Sequence, residues 1–461
     1  MRRPLSLLCA AALGLTGLTA LAPASAAPTA RSSATAAAAV EGELLVGYVA
    51  GADADDRERA RGRAGAVRQE RVVAAAPDRI EVERVRLPQG KDRDEAIREL
   101  EADAAVAYAE PNYLLSHQAT VTDPIYTSLD PAKDLWGMYG DATAPSNAFG
   151  SQAGEAWAAG DVGARSVYVG VIDEGIQFTH PELDGQIWTN PLDPTFNGVD
   201  DDRNGLVDDV HGWDFANDDS SIYDGGTRGS LDDHGTHVSG TIGAEANGEG
   251  VVGANHAVTL ISGKFLGRRG GSLSDAVAAV DYFTDLKTRQ GIDVVATSNS
   301  WGGGGFSQSL LDAITRGAKA DILFIAAAGN SGSDNDTDPS YPSNYDTTAG
   351  AGYDAVIAVA AIDRTGELAS FSQYGAKTVD LGAPGVGVWS TTAFNTYSSY
   401  NGTSMATPHV TGAAALYQAK NPTASALQIR EALLSSAART PSLVDKTVTG
   451  GRLDIPAALL K

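Results

Sequence analysis

Asp173, His234 and Ser404 are side chains that could together turn a hydroxyl into a nucleophile. A serine hydroxyl reacts poorly at neutral pH. It needs an imidazole to take its proton, and the imidazole needs a carboxylate to hold its tautomer and stabilise its cation. Each partner sits in its own segment: VIDEGIQFTHPEL around Asp173, DDHGTHVSGTIG around His234 and NGTSMATPHVTG around Ser404. In the third, Gly402 permits a tight turn and an Ala-rich helical pattern follows, so Ser404 is expected at a helix N-terminus. Free N–H groups there favour negative charge, which makes the Ser404 N–H a candidate donor to a developing oxyanion. Pro408 falls in the first turns, where a missing donor costs less than in mid-helix.

The elements that must hold these residues can be read from periodicity. Runs rich in Val, Ile and Ala at 167–172, 258–261, 293–296, 322–327 and 356–360 have the character of buried strands, and helical patterns at 273–287 and 309–320 lie between them. This alternation predicts an α/β fold with a parallel sheet covered by helices on both faces. Ligands bind such sheets at the carboxyl ends of the strands. Asp173 ends one run and Asn330 follows another, so both belong near that edge. Further upstream, residues 43–49, 80–87 and 106–113 read as strands and 53–71 and 92–102 as helices, the pattern of a small α+β unit.

The three motifs, in the chain order Asp, His, Ser, resemble those of the subtilisin family of serine peptidases, and the resemblance extends over nearly all of the chain. It implies a subtilisin-like domain over 119–461 that cleaves peptide bonds through an acyl-enzyme, with Asp173, His234 and Ser404 as the triad. It makes His237 structural and sets aside a metal-binding reading of the His-x-x-His pair. Phe324-Ile-Ala-Ala-Ala-Gly-Asn330 resembles the segment that supplies a side-chain oxyanion donor, which points to Asn330. Ser298-Asn-Ser-Trp-Gly-Gly-Gly-Gly305 and Gly267-Arg-Arg-Gly-Gly-Ser272 resemble the strands that edge the substrate cleft, implicating Ser300, Trp301, Gly302, Gly270, Gly271, Ala328 and Gly329, with Ser340 by alignment. Glycines there let a peptide approach the backbone and add itself as a strand. The uncharged pocket favours apolar or aromatic side chains over Lys or Arg. Glu174 stands where many family members carry Ser or Thr; as the next residue of an extended segment it is expected to point away from Asp173. Were it to face the imidazole instead, it would raise the histidine's pKa.

The unit at 27–118, a flexible Ala-rich leader followed by the α+β pattern, resembles the inhibitory propeptide of such proenzymes, an intramolecular inhibitor removed by autocleavage between Tyr113 and Thr122. Residues 1–26, with Arg2, Arg3, an apolar run and Ala24-Ser25-Ala26, read as a secretion signal, so the product is expected to be secreted, soluble and free of membrane once the signal is removed. Cys9 is the only cysteine and lies within that signal, which excludes disulfides from the exported protein. Residues 118–461 hold 19 Lys and Arg against 41 Asp and Glu, a formal charge of −22 that should repel nucleic acid and anionic lipid. Asp200, Asp202, Asn204 and Asp208, with the Leu206 carbonyl, repeat the first half of an EF-hand loop and are expected to hold calcium, though His211 stands where the terminal acidic ligand belongs. A solvated acidic turn is the alternative. Protein and peptide substrates, a monomer and no organic cofactor complete the expectations.

Overall fold

The computed structural model describes residues 39–73, 81–113, 122–225, 232–267 and 270–461. The expected signal, most of the leader, Arg268, Arg269 and the 114–121 stretch around the expected processing bond lie outside the described residues. The chain divides into two compact units at 115/116.

The smaller unit runs β1 (Ala39–Tyr48), α1 (Ala54–Arg63), β2 (Val67–Val73), β3 (Val82–Arg86), α2 (Arg93–Glu101) and β4 (Val106–Tyr113). Its antiparallel sheet has the order β2-β3-β1-β4. Period-two alternation in β1 puts Leu44, Val46 and Tyr48 into a core with Ala60, Ala96 and Leu100 of the two helices. The opposite parity exposes Glu43 to Arg86 and Asn112, which donate to it at 3.1 and 2.9 Å. The expected helix over 53–71 is in fact a helix and a strand. Asp53 caps α1, accepting from the Asp56 N–H at 2.9 Å, and the chain turns through Gly65 at φ +65° before Val67 opens β2. The turn outweighs the charged, Ala-rich composition that read as one continuous helix.

The larger unit contains α3 (Ala153–Ala158), β5 (Gly163–Asp173), β6 (Gly212–Asp214), α4 (Asp233–Gly243), β7 (Ala257–Lys264), α5 (Leu273–Gln290), β8 (Val294–Asn299), α6 (Gln308–Lys319), β9 (Leu323–Ala327), α7 (Thr348–Ala351), β10 (Val356–Ile362) and β11 (Leu381–Pro384). There follow β12 (Val388–Thr392), β13 (Thr396–Tyr400), α8 (Thr403–Lys420), α9 (Ala426–Ser435), β14 (Ala438–Arg439), β15 (Gly451–Arg452) and α10 (Ile455–Leu459). The main sheet has the order β14-β15-β11-β10-β9-β8-β5-β7-β6 and is parallel except for the β14–β15 pair.

Both faces of this sheet are buried, and successive residues of β9 show it. Leu323 and Ile325 join the core formed with α4, α8 and α9, whereas Phe324 and Ala326 join the core formed with α5 and α6. Strands buried on both sides read as continuous apolar runs, which is why the sequence marked them. It did not mark β6, β11 or the β12–β13 hairpin, whose polar residues are held by tertiary bonds. Ser390 and Thr391 of the hairpin donate to the carbonyls of His237 and Thr236 in α4 at 2.7 and 2.8 Å. No helix among the described residues is long and apolar enough to cross a membrane.

Candidate active site

Asp173 is the last residue of β5, Ser300 immediately follows β8 and Asn330 lies three residues past β9, so all three stand at the carboxyl edge of the parallel sheet. His234 and Ser404 occupy the first turns of α4 and α8, helices that pack on one another and on β5.

Asp173 is 1% exposed, and its Oδ1 accepts from His234 Nδ1–H and from the Glu174 N–H, both at 2.8 Å. With its proton on Nδ1, the ring presents Nε2 as a base. Burial disfavours the imidazolium, but the Asp173 carboxylate and then Glu174 more than offset it, and the pKa of His234 is raised to about 9. Glu174 does not point away. Its Oε1 accepts the His234 backbone N–H at 2.6 Å, which corrects the expectation drawn from strand alternation: β5 ends at Asp173, so period two no longer governs the next residue. His237 is buried, contacts the Val388 and Ser398 carbonyls through Nε2 at 3.0 and 3.2 Å, and is held neutral by burial, its pKa lowered to about 3. It is a packing residue of α4.

Ser404 Oγ donates to the Ser300 carbonyl at 3.1 Å, and Ser300 Oγ donates to the Ser404 carbonyl at 2.9 Å. In this arrangement the hydroxyl engages the cleft-edge backbone rather than His234; catalytic hydrogen bonds in ligand-free sites often tighten only once substrate is bound. The Asn330 amide is fixed by its oxygen, which accepts from the Thr403 N–H at 2.9 Å and the Thr403 hydroxyl at 3.0 Å. Its Nδ2 therefore turns the other way. A methyl group built on Gly402 would stand 3.5 Å from the Ser404 nitrogen and 3.6 Å from Asn330 Nδ2, so both nitrogens border the same small space beside Gly402. Thr403, buried and also accepting from the Gly329 N–H at 3.2 Å, organises this arrangement; sequence reading passed over it, although it lies inside the serine motif.

The anticipated cleft residues have unequal environments. Gly302 and Gly303 run beside Tyr341, whose carbonyl accepts the Gly303 N–H at 3.1 Å. Trp301 turns its ring edge-on to Phe265 and Phe324, at 4.9 and 6.2 Å, and so anchors the segment to the α5–α6 core. Gly270 and Gly271 are exposed. Ala328 is fully buried among Ala358, Ala360 and Val379, so its methyl group faces the interior; Gly329, at φ +113°, is partly exposed. Asp334 accepts from the Asp336 N–H of its own loop at 2.9 Å, and Asp336 accepts from the Thr378 hydroxyl, in the segment before β11, at 2.7 Å.

Of the anticipated calcium donors, only Asp200 and Asp202 converge, each accepting the Asn204 N–H, at 3.1 and 3.0 Å. Asn204 directs its oxygen to the Leu206 N–H at 2.7 Å, and Asp208 accepts from Asn197 and Gly198 at 2.9 and 3.0 Å. Among the described residues no group of three or more acidic, histidine or cysteine side chains is arranged for a metal. Asp209, unanticipated, is buried there and accepts from Tyr282, Asn190 and Asn204 at 2.8, 2.7 and 3.0 Å; burial pushes its pKa up to about 7. A second group of oxygen side chains is more deeply buried. Asp123 and Glu182 are fully buried, and Asp123 Oδ2 and Glu182 Oε2 have no hydrogen-bond partner. Burial, with Asp123 adding to it, pushes Glu182 up to about 7, and Asn247 supplies a further polar side chain beside it.

The subtilase family model matches residues 164–452, and that of the fervidolysin N-terminal prodomain matches residues 25–112. Subtilisin DY of Bacillus licheniformis is 38% identical over 274 residues, covering 59% of this chain and 84% of that protein. A thermophilic serine proteinase of a Bacillus species is 31% identical over 403 residues, 86% of this chain and 82% of the relative. Among solved structures, a protease of Pseudoalteromonas arctica aligns with a TM-score of 0.54 at 26% identity, covering 72% of this chain and 99% of that one.

A hydroxyl served by a base of raised pKa reacts faster as that base loses its proton. An arylsulfonyl fluoride is therefore expected to sulfonylate Ser404 Oγ with loss of fluoride, at a rate that climbs with pH through an apparent pKa above 6.5. Peptide mapping that finds label on another serine, or a rate flat above pH 6.5, would contradict the assignment.

Proposed function

As a member of the subtilase family of serine peptidases, this chain hydrolyses peptide bonds, and we propose that it does so as a secreted, autoprocessing endopeptidase with Ser404 as nucleophile, His234 as general base and acid, and Asp173 as the carboxylate that orients the imidazole. The observation that carries this reading is that the Ser404 nitrogen and Asn330 Nδ2 border one space beside Gly402, with the Asp173–His234 pair at the same sheet edge.

On this reading His234 Nε2 takes the Ser404 proton as Oγ bonds to the substrate carbonyl carbon. The charge that develops on the carbonyl oxygen is met by the two N–H donors. His234 returns the proton to the leaving amine as the C–N bond breaks, leaving an acyl-enzyme. Water, deprotonated by the same imidazole, then releases the acid. Asp173 stays ionised throughout and stabilises the transient imidazolium. The glycine-edged segments around Gly270 and Gly302 would hold substrate as an added strand, which favours broad sequence tolerance with an uncharged primary pocket.

The expected signal and the prodomain match over residues 25–112 support export as a zymogen. Calcium would be held by Asp123 and Glu182 with Asn247, in preference to the loop at Asp200; it would supply positive charge to two buried carboxylates that otherwise repel one another.

Intact-mass analysis of the full chain is expected to show loss of about the first 115 residues, near the break between its compact units, together with casein hydrolysis. Ser404→Ala should remain whole and inert; processing of that variant, or an inert folded parent, would sink the proposal. Asn330→Ala should lower kcat about 100- to 1000-fold with KM nearly unchanged, the magnitude found for such a donor in subtilisin, this family's type member. A selective rise in KM would assign Asn330 to substrate binding instead. Calcium at 100 times its Kd should stabilise the protein by about 2.7 kcal/mol. That gain is expected to vanish with a chelator and to shrink in Glu182→Gln, whereas a melting temperature indifferent to chelator would remove the ion from the account.

A further inference from the structure

We propose that Glu174 is a positioning residue that, together with Asp173, clamps His234 by main chain and ring at once, and that its negative charge sets the pH range over which the imidazole serves as a base. The proposal deepens the role given to His234 above and rests on it.

Three hydrogen bonds form a closed ring. The Glu174 N–H and His234 Nδ1–H both donate to Asp173 Oδ1 at 2.8 Å, and the His234 backbone N–H donates to Glu174 Oε1 at 2.6 Å. Two consecutive residues at the end of one strand thereby hold one residue sixty positions downstream by both of its donors. The side-chain cap that α4 would ordinarily receive from its own N-cap is missing. Asp232 is left-handed at φ +69° and makes no capping bond. Its carboxylate is committed to Lys264 Nζ at 2.6 Å and to the Asp224 N–H at 2.5 Å. Glu174 fills that vacancy from another element, placing a carboxylate where the helix dipole favours one. The close approach has a backbone signature: a methyl group on Gly235 would lie 2.2 Å from the Gly175 carbonyl oxygen.

The charged and titratable groups around Glu174 are Asp173, His234, Asp232 with its buried partner Lys264, and, from the first turn of α4 and the end of β13, Asp233 and Tyr400. Lys264 pairs in register with Asp173 on the neighbouring strand and is neutralised by Asp232 and by Asp224 at 2.8 Å. His234 is therefore the cation on which the Glu174 charge acts. Burial, and then the charge of Asp173, raises Glu174 itself to about 7. Above that pH it is ionised and favours the imidazolium; its loss should let the imidazole deprotonate at lower pH.

Glu174→Gln keeps an acceptor for the His234 N–H and removes the charge, whereas Glu174→Ala removes both. The imidazole is titrated by NMR in the full chain carrying Ser404→Ala, with and without each change, and kcat and KM are followed against pH in enzyme that retains Ser404. Glu174→Gln is expected to lower the His234 pKa and the acid limb together by about half a unit to one unit. Glu174→Ala should lower both similarly and also cut kcat about tenfold with little change in KM, with Gln restoring most of that loss, as expected when positioning in the transition state is impaired. An unmoved His234 pKa and acid limb in Glu174→Gln would overturn the proposal, as would full kcat in a folded Glu174→Ala. If Glu174→Ala does not fold, Glu174→Gln decides alone. A shifted His234 pKa in a chain whose Ser404 form lacks peptidase activity would support the clamp and reject the triad reading.

Discussion

A carboxylate removed from water must be matched by donors or by a cation, and at the carboxyl edge of the main sheet that requirement falls on Asp173. It is met at Oδ1 alone, by the Glu174 N–H and the His234 ring, which ties the end of β5 to the start of α4; Oδ2 is buried without a hydrogen-bond partner. Once α4 is fixed there, its apolar side chains Val238 and Ile242 join the core that Ala406 and Val410 of α8 complete, and the serine segment follows. The same edge carries Ser300 and Asn330, each hydrogen-bonded to the first turn of α8. The site is thus a consequence of parallel strands ending together under helix N-termini, where unpaired N–H groups favour negative charge.

Ion pairs join segments both at this edge and at the opposite end of the sheet. Lys264 is wholly buried beside Asp173 and contacts Asp232 and Asp224, joining β7 to the first residue of the histidine motif and to the segment that precedes it. Arg430 of α9 reaches Asp380 at 2.8 Å, and Arg364 meets both oxygens of Asp134 at 2.7 Å. Pairs as buried as Lys264–Asp232 add little net stability over apolar packing, but removing one partner strands the other. They act here as registers between loops that have no cysteine to join them, Cys9 being the only one in the chain. Calcium between Asp123 and Glu182 would be a further tie of the same kind, drawing on the acidity of the chain without adding a covalent link.

The raised pKa values of His234 and Glu174 belong to one electrostatic unit but arise differently: burial leads the rise of Glu174, whereas the carboxylates raise His234 against burial. Two adjacent carboxylates sit in poorly solvated surroundings next to one imidazole; burial disfavours every charge there, and for the imidazolium the neighbouring carboxylates more than offset that loss. A helix N-terminus and a strand end supply the geometry, and a surplus of acidic residues supplies the sign. An uncharged residue at position 174 could keep the turn but would leave the imidazole with a single carboxylate.

The amino-acid sequence by itself determined what is local. The three motifs are contiguous, the buried strands are unbroken apolar runs, and Asn330 stands at the end of one of them, so fold class and candidate triad were legible from residue type and period. Even locally one boundary was missed, where Gly65 splits the segment after Asp53 into α1 and β2. Only the tertiary structure decided the contacts between segments far apart in the chain: Glu174 on the His234 N–H, Thr403 on Asn330, Ser300 on Ser404, and Asp123 near Glu182. It also decided which acidic residues gather, bringing Asp209, which spacing had not singled out, onto Asn190, Asn204 and Tyr282. Periodicity reports how a residue is buried relative to its neighbours in the chain, whereas the direction of a polar side chain beyond the end of a strand is set by whichever donor packing brings to it.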